Sequence, residues 1–160
     1  DSEAEARDML RARAKATTDR TMDLSIKGRL GMVIDGTGRD YDKINGQVAQ
    51  LKQLGYDCYM IFVNTSLDVA LDRNRRRERT VPEYITKQSW TKVQSNIGKF
   101  QSLFGMDSMI IVDNSKDDRE LTTVTMGKVD KAVRKLLRNK VKSYTAKRWM
   151  ASERKARRRW

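Results

Sequence analysis

Three short apolar runs constrain this chain most: residues 30–35 (LGMVID), 58–64 (CYMIFVN) and 109–113 (MIIVD). Each is nearly continuous rather than alternating, as in strands of a parallel sheet covered on both faces, and each ends in Asp or Asn. Between the first two lies a helical pattern over about 42–54, with Ile44, Val48 and Leu51 on one face and Gly55 as the stop. Strand, helix and strand then have the length of a right-handed parallel crossover. A second pattern starts near Trp90, where Val93, Ile97, Phe100 and Phe104 recur at three- and four-residue steps before Gly105. The expected fold is α/β: a three-layer parallel sheet of three strands, with its polar strand ends at the edge where open α/β sheets bind ligands.

The flanks read as helices. Residues 2–24 carry Ala, Arg, Glu, Met and Leu without Gly or Pro, and Val129, Val133, Leu136 or Leu137, and Val141 mark a later amphipathic segment. There is no internal repeat and no low-complexity linker. A length of 160 residues suits one core. One cysteine, Cys58, excludes an intrachain disulfide, and the lack of histidine argues against zinc chemistry and Ser-His-Asp hydrolysis. The longest apolar run is far too short to cross a bilayer and the N-terminus lacks a secretory layout, so a cytoplasmic protein is expected.

The net charge of +13 is uneven. Residues 134–160 hold 12 Lys or Arg and one acidic residue, Glu153, so nearly all of the excess sits there. Blocks of this kind meet polyanions or stay solvated. Trp149 and Trp160 lie among these cations as candidate stacking groups, with packing on the domain the other reading for Trp149.

Two segments carry the chemistry. Asp35, Gly36, Thr37, Gly38 and Arg39 bring a carboxylate, a hydroxyl and a guanidinium to one strand end; the plainer reading is a Gly-rich turn with Asp35 capping the next helix. Arg73, Arg75, Arg76, Arg77 and Arg79 place five guanidiniums within seven positions, and Pro82 closes the segment. Guanidinium forks suit the equatorial oxygens of a transferring phosphoryl group, whereas the plainer reading is a solvated helix face.

Taken together, the IDGTGR turn, the helix ending in Gly55-Tyr56, the run CYMIFVN, the segment LDRNRRRER and Thr80-Val81-Pro82 resemble a P-loop kinase of the zeta-toxin and polynucleotide-kinase-like branch, from about Gly28 to Asn114. The resemblance implies Mg²⁺ and ATP or GTP as donor, with Asp35 orienting the acceptor or a metal-bound water and Thr37 and Arg39 contacting the acceptor. It also implies a lid near 72–82, in which Arg73 and Arg79 neutralise the transferring phosphate and Arg75, Arg76 and Arg77 assist at the nucleotide. Asn114 and Ser115 occupy the place where this fold meets the base, a loop turn being the plainer role. The implied acceptor is a nucleotide-sugar-like small molecule or a polynucleotide hydroxyl; non-specific nucleic acid on the basic tail is a further expected partner, and a membrane is not.

The chain departs from that family in one respect. No G-x-x-x-x-G-K-[ST] occurs in it, although that loop holds the β- and γ-phosphates and Mg²⁺. In the family its strand lies between those expected at 30–35 and 58–64. These residues are therefore expected to be the C-terminal portion of a longer kinase, inactive alone, with 1–142 a partial kinase domain and 143–160 a basic helix or tail. The alternative is a degenerate kinase fold serving as a non-catalytic nucleic-acid-binding or structural module.

Overall fold

Helix α1 (Ser2–Lys27) opens the chain. Its apolar residues Met9, Leu10 and Leu24 form no stripe and are exposed, so the helix rests on local propensity rather than on burial. It ends in a Schellman turn: Leu30 N–H donates to Ser25 O at 2.9 Å and Arg29 N–H to Ile26 O at 3.1 Å, with Arg29 at φ 54°. A computed structural model describes residues 2–116 and 119–158. They form two compact units, residues 1–36 and 37–160.

The strand expected at 30–35 is not present. These residues have no regular structure, Leu30 is consumed by the helix-ending turn, and Val33 is 100% exposed. A strand exists only through its pairing, and the hydrogen-bonded sheet of the described residues has two strands. The described residues make a small parallel two-stranded sheet with helices, a mixed α/β arrangement.

The second unit carries that sheet. Helix α2 (Tyr41–Gln53) is capped by Asp40, whose carboxylate accepts Lys43 N–H at 3.0 Å, so Asp40 rather than Asp35 is the cap. Strand β1 (Met60–Asn64) begins two residues later than expected, followed by α3 (Leu67–Arg75) and α4 (Glu83–Phe104). Strand β2 (Met109–Asp113) lies where the sequence places it and pairs parallel with β1, Phe62 opposite Ile111 and Asn64 opposite Asp113. Helices α5 (Arg119–Leu137) and α6 (Tyr144–Arg157) complete the described residues.

The core is small: Val48 and Leu51 of α2, Phe62 of β1, Leu71 of α3, Phe100 of α4 and Val112 of β2. Phe100, fully buried, stands with its ring 5.5 Å from Tyr41 and 6.3 Å from Phe62, tying both helices to one sheet face. By register Val112 lies on the opposite face, where its β1 neighbours Ile61 and Val63 are 44% and 58% exposed. Phe100→Ala is expected to cost about 3–5 kcal/mol, because little else can close the cavity. Urea unfolding checks this; a change under about 1 kcal/mol would show that the site collapses.

Candidate phosphate site

The carboxyl ends of the two strands are fastened by side chains. Asn114 N–H donates to Asn64 O at 2.8 Å, prolonging the ladder by one bond, and Thr65 Oγ1 donates to Asn114 O at 2.8 Å. Ser115 Oγ accepts Ser66 N–H at 3.0 Å, while its own N–H donates to Asp113 Oδ1 at 3.0 Å. These bonds from Ser115 hold the Asp113 carboxyl below its ordinary range, so it is ionised at neutral pH. Asn114 and Ser115 thus adopt the turn role, at the place expected for them.

Helix α4 supplies the other wall. Trp90 Nε1–H donates to Thr65 O at 2.8 Å and Gln94 Nε2 to Asn64 Oδ1 at 2.8 Å. Asn96, buried, donates from Nδ2 to both Gly38 O and Arg39 O at 3.0 Å, fixing the turn that precedes α2. Gly38 sits there at φ 73°, and a Cβ on it would lie 3.8 Å from both Phe62 and Phe100. The turn therefore needs glycine for its backbone sign and rests on the core.

Two arginines are bound near this edge. Arg73 Nη1 donates to Thr65 Oγ1 at 3.4 Å. Arg39 Nη1 donates to Ser89 Oγ at 3.4 Å, one residue from the Trp90 that binds Thr65. Arg73 thus holds Thr65 directly, and Arg39 binds the neighbour of the tryptophan that holds Thr65 from α4. Thr37 Oγ1 faces back onto Arg39 N–H at 3.5 Å. Asp35 belongs to the first unit and is exposed.

The other lid arginines divide. Arg75 pairs with Glu83, Nη2 to Oε1 at 2.7 Å, and Arg76 pairs with Asp72 at 2.5 Å. Among the described residues the side chains of Arg77 and Arg79 are exposed and make no ion pair. The segment is pinned by a residue whose role the sequence does not announce: buried Asn74 donates Nδ2 to Val81 O at 2.7 Å and accepts Val81 N–H at 3.0 Å. This amide pair closes a loop over 75–80 and sets where its arginines emerge. Asn74→Ala leaves two backbone groups without partners and is expected to destabilise by about 1–3 kcal/mol. Limited proteolysis within 76–80 should quicken with it, and unchanged cleavage would show the loop to be held elsewhere.

As a donor set, these guanidiniums fit a chain of phosphates. Among the described residues no three His, Cys, Asp or Glu side chains come together. Cys58 is half-buried, and burial raises its thiol pKa against the opposing effect of Lys52, with Asp57 raising it further, so it is a poor nucleophile at neutral pH. Among the described residues no helix is long and apolar enough to cross a membrane.

A parallel strand pair, polar at its carboxyl ends, with Arg73 bound at that edge, defines a mixed α/β protein compatible with the P-loop type. Residues 2–123 match the family model for zeta toxin, and the chain belongs to that family, which is P-loop kinase-like. No curated protein and no solved structure matches it.

Proposed function

We propose that this chain is part of a phosphotransferase that moves the γ-phosphoryl group of ATP or GTP to a hydroxyl of a nucleotide-sugar-like molecule or a polynucleotide. The observation that carries the reading is the position of Arg73, whose guanidinium binds Thr65 at the carboxyl edge of the sheet, where Trp90 of α4 also binds Thr65 and its neighbour Ser89 takes Arg39. Membership of the zeta toxin family supports it.

Charge develops on the phosphoryl oxygens during transfer, so a cation held at the strand ends stabilises the transition state more than the bound substrate. Arg73 has that position before any ligand arrives. Arg79 and Arg77, on the loop fastened by Asn74, would come onto the phosphates as the loop closes and excludes water. Arg75 and Arg76, engaged by Glu83 and Asp72, would shape the loop. Thr37 and Arg39 would take the acceptor, with Asp35 orienting it as the family resemblance implies. The phosphate loop and the Mg²⁺ site would come from a segment outside these 160 residues. The absence of G-x-x-x-x-G-K-[ST] and the exposed Ile61 and Val63 support that division.

Joined to whatever precedes it in its source gene, the chain is expected to transfer label from γ-labelled ATP to a nucleotide sugar or a 5′-hydroxyl oligonucleotide. Whichever acceptor is labelled names the substrate class. Labelling of neither, in a protein shown to bind ATP, would overturn the proposal.

A further inference from the structure

Within the basic segment helix α6 has two different sides, while Trp160 lies outside the described residues. Ser143 caps α6, its hydroxyl accepting Ala146 N–H at 3.3 Å. The start of the helix is seated on the loop before β1: Lys142 N–H donates to Asp57 Oδ2 at 3.3 Å, and a Cβ on Gly55 would come within 3.0 Å of Ala146 N. Its less exposed stripe is Ala146, Met150 and Glu153, so the one acidic residue of the basic segment is turned away from the open face.

Tyr144, Arg148, Ser152 and Lys155 recur at steps of four, four and three, and form that open face. Tyr144 is 73% exposed, with the Arg148 guanidinium carbon 5.8 Å from its ring centre. Tyr144, Arg148, Trp149 and Ser152 line a shallow notch of about 340 Å³, large enough for a small flat group. Lys147, Arg154 and Arg158 flank the face and are exposed.

We propose that this face of α6 binds single-stranded nucleic acid, the cations holding phosphates and Tyr144, with Trp149 beside it, stacking on bases. Two observations select this partner among polyanions. The open face, Tyr144, Arg148, Ser152 and Lys155, carries no continuous apolar stripe to insert into a lipid surface. Aromatic rings lie between the cations, where unpaired bases can reach them and duplex bases cannot. The site is distinct from the phosphate site: α6 starts beside the amino ends of the strands, whereas Arg73 and Thr65 stand at the carboxyl ends. A bound strand is tethered there rather than presented for phosphorylation, and the inference does not rest on the kinase reading.

The test is fluorescence anisotropy of the 160-residue chain with labelled oligo-dT, a duplex of equal length and vesicles containing phosphatidylserine. Oligo-dT is expected to bind more tightly than the duplex at low salt, and Tyr144→Ala to weaken it about tenfold while Tyr144→Phe leaves it unchanged. Arg148→Ala with Lys155→Ala should lower the slope of log Kd against log salt by about 1.4, ~0.7 for each cation lost. Arg73→Ala should leave binding unchanged, which separates this site from the kinase reading. Duplex affinity equal to that of oligo-dT with Tyr144→Ala silent, vesicle binding without oligonucleotide binding, or no response to the α6 substitutions would each overturn the proposal.

Discussion

By themselves these 160 residues are expected to transfer no phosphoryl group and to bind nucleotide only weakly. Phosphoryl transfer asks little covalent chemistry of the protein and depends on holding donor and acceptor in line, an effect worth about 7–11 kcal/mol when the geometry is right. The backbone N–H groups and lysine that hold the β- and γ-phosphates belong to a G-x-x-x-x-G-K-[ST] loop, and the chain contains none. Arg73, Arg77 and Arg79 attract a triphosphate but approach it from one side, and guanidiniums alone fix no line of attack. Calorimetry with ATP should give little heat, and label from γ-labelled ATP should stay at background. Adding the loop-bearing segment should restore both. Transfer by the 160 residues alone would contradict the division proposed above, whereas inactivity with the loop supplied would favour the non-catalytic alternative.

With the loop supplied, Arg73→Ala is expected to lower kcat by about 10²- to 10³-fold, the usual loss for one preorganised charge contact, and to change the acceptor KM by much less. Its guanidinium is already placed on Thr65, so little reorganisation is needed as charge develops. Arg79→Ala should also act mainly on kcat, through a loop that must first close. Arg75→Ala and Arg76→Ala should be milder, since each removes a surface ion pair, with Glu83 and Asp72 respectively, worth at most about 1 kcal/mol. Steady-state kinetics on the four variants decides the matter: equal, small effects at all of them would return the arginines to a solvated helix face.

Periodicity in the sequence was enough to place α2, α4 and β2, because each carries its signal locally. The face of α2 is Val48 and Leu51, that of α4 is capped by Gly105, and the apolar run at Met109–Asp113 finds its parallel partner in β1. The same reasoning failed at 30–35. Apolar character shows that a stretch can be a strand, but pairing decides whether it is one, and Leu30 was taken by the turn ending α1. The arginine cluster was legible as a cluster and not as a set of roles. Sequence spacing cannot tell Arg73, bound at the sheet edge, from Arg75 and Arg76, bound to carboxylates, because the partners lie on other elements or the next helical turn. Asn74 and Asn96 were silent for a related reason: an asparagine in a helix gives no sign that its amide will serve the backbone of a distant loop. The family was readable from the order of motifs. Which arginine is bound at the carboxyl edge of the sheet, and that α6 starts beside the opposite strand ends, depended on long-range hydrogen bonds that form only when the strands and helices meet.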